Sequence, residues 1–204
     1  MGRSRAVLAV VLVLLVLLAG CSAGPQNRQV TGSGTSATLS AATLDETGLS
    51  EARATNETLE TRVEATVSGD VSVQAVVEVD VTTPVREYRG EGVAVGVVST
   101  PAVRPIEGRG AFRDPLAELS PEEQVAHAQS AYSVTGLGDG ERLENVTLLG
   151  TETPLRKFEG TAGGDAVTVY LTRAKHGDDF VTVVVVAPAD RDVDVGALVR
   201  GVEH

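Results

Sequence analysis

Val71-Ser72-Val73-Gln74-Ala75-Val76-Val77-Glu78-Val79-Asp80-Val81 sets an apolar side chain at every odd position, mostly against polar neighbours. A period of two sends alternate side chains to opposite faces of an extended chain, so the stretch predicts a half-buried β-strand. Upstream, Leu59, Thr61, Val63, Ala65 and Val67 alternate in the same way, and Gly69-Asp70 between the runs supplies a turn. Together they predict an antiparallel hairpin. Downstream, Val93, Val95, Val97 and Ser99 make a third strand closed by Pro101. Residues 50–57 are polar and read as loop. Residues 101–119 carry Pro101, Pro105, Pro115, Gly108 and Gly110 and read as a long irregular crossing.

Helix signals punctuate these strands. Ser40 is placed to cap a short helix that Gly48 ends. Ser120-Pro121-Glu122-Glu123 combines a cap, a proline at the first helical position and a glutamate three residues after the cap. Val125, Ala128 and Tyr132 then form an apolar stripe. Four β segments follow near 142–149, 153–160, 166–173 and 179–187, with turns at Gly163-Gly164-Asp165 and His176-Gly177-Asp178. Phe180 to Ala187 is nearly all apolar, as in a strand covered on both faces. A last helix near 193–202 buries Val195, Leu198, Val199 and Val202, with Asp192 or Asp194 as its cap.

Strand-rich runs interrupted by single helices predict an α+β fold, an antiparallel β-sheet of about six or seven strands with helices packed on it. Its marks are Val97-Val98-Ser99-Thr100-Pro101, Asp114-Pro115-Leu116, Leu148-Leu149-Gly150 and Leu198-Val199-Arg200-Gly201-Val202. On these the arrangement resembles the PsbP/Mog1-type α-β-α sandwich. The resemblance implies a binding or assembly module, not a catalyst.

The N-terminus carries the strongest functional signal. Arg3 and Arg5 precede an apolar run from Ala6 to Ala19, and Leu18-Ala19-Gly20-Cys21 closes it with the only cysteine in 204 residues. That layout is a secretory signal peptide, and it resembles the lipobox of prokaryotic lipoproteins. The resemblance implies cleavage after residue 20 and a lipid on Cys21. Fourteen apolar residues fall short of the roughly 20 that span a bilayer. Residues 1–20 are thus read as signal, 21–37 as a flexible small-polar spacer, and 38–204 as one α+β domain.

The formal charge is −11. Taking Arg3 and Arg5 from the 17 basic residues leaves 15 against 28 acids, hence −13. Only Lys157 and Lys175 are lysines, and aromatic residues are scarce. With the lipobox, this resembles uncharacterised lipoproteins of halophilic archaea, where scattered carboxylates keep a surface hydrated in concentrated salt. The absence of a basic stripe argues against nucleic acid.

Candidate chemistry is sparse. His127, His176 and His204 share no metal-ligand spacing, no cysteine joins them, and His127 reads as part of a solvated helix face. Asp190, Asp192 and Asp194 alternate as calcium ligands do, but the expected glycine is displaced to Gly196 and the twelfth position is Gly201. They remain weak metal candidates beside a helix-capping reading. Gly90-Glu91-Gly92 and Gly136, Gly138 and Gly140 lack the strand-before, helix-after order of a phosphate loop, and no nucleophile elbow stands in the domain. Asn56-Glu57-Thr58 and Asn145-Val146-Thr147 are sequons, with Asn56 in a polar loop the better glycosylation acceptor.

The expectation is a lipid-anchored protein on the extracellular side of the cell membrane, without cofactor or catalytic residues. Its partners are the membrane, through the lipid on Cys21, and another cell-envelope protein. The 101–119 and 132–141 loops are the expected interaction surfaces. The alternative is a small enzyme or solute-binding lipoprotein with a pocket between sheet and helix.

Overall fold

The computed structural model describes residues 28–67, 73–106 and 110–204. The lipobox, Cys21 and the Gly69-Asp70 turn lie outside the described residues. Eleven strands appear: β1 (Arg28–Ser33), β2 (Thr38–Leu39), β3 (Ser50–Val67), β4 (Val73–Gly90), β5 (Val93–Pro101), β6 (Val134–Thr135), β7 (Glu141–Leu148), β8 (Thr151–Ala162), β9 (Asp165–His176), β10 (Asp179–Pro188) and β11 (Val202–Glu203). The helices are α1 (Ala41–Thr47), α2 (Pro121–Ala128) and α3 (Val195–Arg200), with a 3-10 turn at Pro115–Glu118.

The α+β sandwich expectation is overturned. Among the described residues strands account for 59% and helix for 15%, and the architecture is a large curled sheet of nine strands with parallel and antiparallel pairs mixed, beside a two-stranded sheet of β2 and β11. Two meanders, β3-β4-β5 and β7-β8-β9-β10, join where β5 pairs antiparallel with β10. The parallel element is β1, which pairs with the Val77–Thr82 half of β4 beside β5. Arg28–Ser33 lie in the stretch read as spacer, whose small polar residues carry no strand period. Among the described residues the helices are only 7, 8 and 6 residues long, too short to form layers of their own.

Residues 50–57 are a second correction: they open β3, which runs for 18 residues. Arg53 and Glu57 occupy inward positions opposite Glu87 and Thr83 of β4. A strand whose buried face is ionic shows no hydrophobic period.

Valine alternation elsewhere builds two cores. Val181, Val183 and Val185 of β10 join Val93, Val95 and Val97 of β5 on one face, under Val195, Leu198 and Val199 of α3. Val184 and Val186 point the other way, to Val98, Val167, Val169, Leu116, Val125 and Ala128. Fully buried Tyr88 takes the Leu39 N–H on its hydroxyl at 3.0 Å, tying β2 to the sheet.

Caps end the helices as their chemistry requires. The Ser40 hydroxyl accepts from Thr43 N–H, and Gly48 closes α1 in the left-handed region at φ 67°. The Ser120–Glu123 capping box starts α2, but α2 ends at Ala128, so Tyr132 stands beyond the helix. Asp194 caps α3 by accepting the Ala197 N–H at 2.8 Å.

Candidate interaction site

The 101–119 crossing is fastened from beneath. Asp114 caps the 3-10 turn, with Pro115 at its first position. One carboxylate oxygen accepts the Thr100 hydroxyl at 2.6 Å and the Leu116 N–H at 3.0 Å. The other faces an Arg173 guanidinium nitrogen at 3.3 Å. Arg173, from β9, also donates to the Gln124 side-chain oxygen at 2.5 Å, and the Gln124 amide donates to Leu119 O at 2.7 Å. Burial pushes the Asp114 carboxyl up, opposed by Arg173, Thr100 and Leu116. The same burial pushes the Arg173 guanidinium down, opposed chiefly by Asp114. Breaking one side of such a pair leaves an uncompensated charge in a dry setting.

Val103 and Arg113 exchange backbone hydrogen bonds of 2.9 and 2.7 Å. Between them in sequence, Phe112 is 38% exposed. The Arg104 guanidinium lies 4.2 Å and the Lys175 ammonium 4.8 Å from its ring centroid. Such contacts contribute about 0.5–1 kcal/mol each at exposed sites. The result is an apolar face with two cations on it, in a chain of strongly acidic balance.

A second polar centre lies under α2. The Glu87 side chain is inaccessible to solvent and accepts from Arg53 Nε at 3.1 Å, Arg89 Nε at 2.6 Å, and Ser130 N–H and hydroxyl at 3.0 Å each. Burial works to raise its carboxyl. The bonds from Arg89 and Ser130 outweigh that and hold it below the usual carboxylate range. Arg53 also pairs with Glu57, and its remaining terminal nitrogen is buried without a partner among the described residues.

Beside it, the Thr83 hydroxyl lies 2.7 Å from His127 Nε2, and His127 Nδ1 lies 3.6 Å from a Glu57 carboxylate oxygen. Hydroxyl, imidazole and carboxylate stand in the order of a hydrolase triad. Thr83 is wholly buried, however, and its hydroxyl donates to the Glu57 backbone carbonyl at 3.1 Å. A nucleophile must reach its substrate, so this array serves to tie α2 to the sheet. His127, expected on a solvated helix face, has a side chain only 11% exposed. Burial pushes its imidazole down, with Glu57 opposing and Arg53 adding to the effect.

The other residues singled out from sequence are dispersed. Asn56 is exposed in β3 opposite Pro84, not in a loop. Asn145 is exposed in β7 opposite Pro154. Asp190, Asp192 and Asp194 are exposed, and Asp194 is engaged as a cap. Among the described residues no group of three or more His, Cys, Asp or Glu side chains is disposed to hold a metal. His204 and His176 do meet, ring centroids 5.3 Å apart and edge-on. His204 Nε2 is 3.2 Å from the Asp179 carboxylate, which also accepts the Thr35 N–H at 2.8 Å. Sequence reading missed Glu87, Asp114 and Arg173 as polar centres. The available signal at Glu87 was its place two residues after Val85 on the inward face of β4, amid the charged neighbours Arg86 and Arg89.

Among the described residues no helix is long and apolar enough to cross a membrane. The geometry defines a mostly-β domain built on a large curled sheet of nine strands, with a cation-flanked phenylalanine presented on a pinned loop. Residues 36–203 match the family model described as a domain of unknown function, DUF6517, and the chain belongs to that family. No curated protein and no solved structure matches the chain.

Proposed function

We propose that this chain is a lipid-anchored cell-surface lipoprotein of a halophilic archaeon, a non-catalytic binding or assembly module. The membrane holds it through a lipid on Cys21, facing the extracellular side. Another cell-envelope protein docks on the 101–119 loop. The observation that carries this reading is exposed Phe112, with Arg104 and Lys175 over its ring, on a segment fastened by buried Asp114. Aromatic and arginine side chains dominate binding energy where a partner can desolvate them. The two cations suit a partner with carboxylates around an apolar recess.

The test is recovery from native membrane at high salt. The full chain is expected to bring down a stoichiometric envelope protein. Phe112→Ala with Lys175→Glu is expected to cut that recovery about fivefold or more, a loss of about 1 kcal/mol or more. Unchanged recovery overturns the loop as the docking surface. Mass spectrometry of the processed N-terminus is expected to find Cys21 acylated, and a free thiol there overturns the anchor.

One feature favours a small enzyme or solute-binding reading instead. A cleft of about 280 Å³ between α2 and the sheet is lined by Gln124, Arg156, Phe158 and Arg173. It is small against the roughly 300–1,000 Å³ of ligand pockets, and Arg173 is already engaged with Asp114 and Gln124. Turnover by the purified chain on a substrate panel would decide for it.

A further inference from the structure

β3 is the outermost strand on its side of the sheet. It pairs with β4 along its length, and among the described residues no strand occupies its other edge. The strand is 18 residues long, against an ordinary strand of about five or six, and the Pro115–Glu118 turn packs against part of it. β3 contains neither proline nor glycine. The register shift at Glu51/Arg53 disturbs one end only. Folded proteins blunt open edges by shortness, proline, bulges or charge, because unpaired N–H and C=O groups recruit another strand. The central charges of β3 do not repel a copy of themselves: Glu60 and Arg62 flank Thr61 with opposite signs.

We propose that two copies of this chain pair edge to edge through β3, antiparallel about a twofold axis at Thr61. In this register Glu60 faces Arg62 of the second copy, and Arg62 faces Glu60 of the second copy. Leu59 meets Val63 on the other face. Both are buried in the core on that side, so the core continues across the axis. Moving the axis by one residue places Glu60 against Glu60 or Arg62 against Arg62. Like charges directly opposite each other destabilise a strand pair.

The single chain leaves a defect that this pairing repairs. Glu60 stands directly opposite Asp80 across β3 and β4, and among the described residues neither forms an ion pair. In the neighbouring row, Arg62 lies 3.8 Å from Glu78. Pairing inserts Arg62 of the second copy beside Glu60, giving a ladder in which each acid row gains a cation. The contact is isologous and closes at two copies. It rests on β3 alone and is independent of the loop reading.

The full chain is expected to show twice its chain mass by sedimentation at high salt. Thr61→Cys puts two thiols at the axis, where paired Cα atoms stand about 4.5–5.5 Å apart, within disulfide reach. Mild oxidation is expected to trap a covalent dimer. Thr58→Cys, several residues off the axis, is expected to stay uncrosslinked, and it also controls for Cys21. Glu60→Arg sets like charges together and is expected to weaken the dimer about tenfold or more. It relieves the clash with Asp80, so the chain stays folded, and adding Arg62→Glu is expected to restore pairing. A monomer at every concentration, equal crosslinking at both sites, or a dimer indifferent to Glu60→Arg overturns the proposal.

Discussion

Arg53 of β3 and Glu87 of β4 face each other across the sheet, and Arg53 Nε stands 3.1 Å from a carboxylate that solvent does not reach. Charge in this strand pair has taken the inward positions that valine holds farther along.

Glu87→Gln should therefore be among the costlier single changes. It leaves the guanidinium of Arg53 and that of Arg89 without their shared counter-charge, at a cost of about 3 kcal/mol, read by urea unfolding. Because the Glu87 carboxyl is held low, the unfolded chain binds more protons over the acidic interval. Its contribution is complete above the ordinary glutamate value of about 4.3 and is lost as pH falls through the lower folded value. The variant should lack that part of the acid-side slope.

His127 gives a second, separable pH dependence. Burial favours its neutral form, so folding loses nothing above the ordinary histidine value of about 6.5. Stability declines as pH falls from there toward the depressed folded value, because only the unfolded chain takes up the proton. His127→Gln should remove this slope while leaving the Glu87 slope in place. Thermal melts from about pH 3 to about pH 8 on both proteins would show it.

Arg173→Met tests the loop anchor. Removing the guanidinium strands Asp114 in a dry site, which should cost about 3–5 kcal/mol. Hydrogen exchange should rise most in residues 110–119. Arg173→Met combined with Asp114→Asn should recover part of the loss, since an uncharged pair no longer needs a counter-ion.

Gly96→Ala probes the seat of α2. A Cβ there would come within 2.4 Å of Ala128 O and 2.7 Å of Ala128 Cβ. The helix end has to move, at about 1–3 kcal/mol. A melting shift as small as that of an exposed substitution would mean that α2 sits more loosely on β5 than described.

The late hairpins were readable locally. Segments expected near 142–149, 153–160, 166–173 and 179–187 correspond to β7, β8, β9 and β10, because alternating valines and the glycine turns at 163–164 and 177 are short-range signals. The caps at Ser40 and Ser120 were equally plain, since a cap is a contact three residues long, and of the two candidates Asp192 and Asp194 the structure uses Asp194. The start of β3 was not. Arg53 and Glu57 look like loop residues until Glu87 and His127, 34 and 70 positions further on, are seen to face them. Asp114 and Arg173, 59 positions apart, were hidden for the same reason.

Periodicity and capping are properties of a few consecutive residues, so the order and kind of most elements could be written down before any fold was known. The run before Cys21 that resembles a lipobox is of the same local sort. Whether β1 would join β4 in parallel, how far the sheet would curl, and which charges would be buried in pairs depend on contacts between distant segments. Chain closure and desolvation set their energies, and no short window of residues contains both partners.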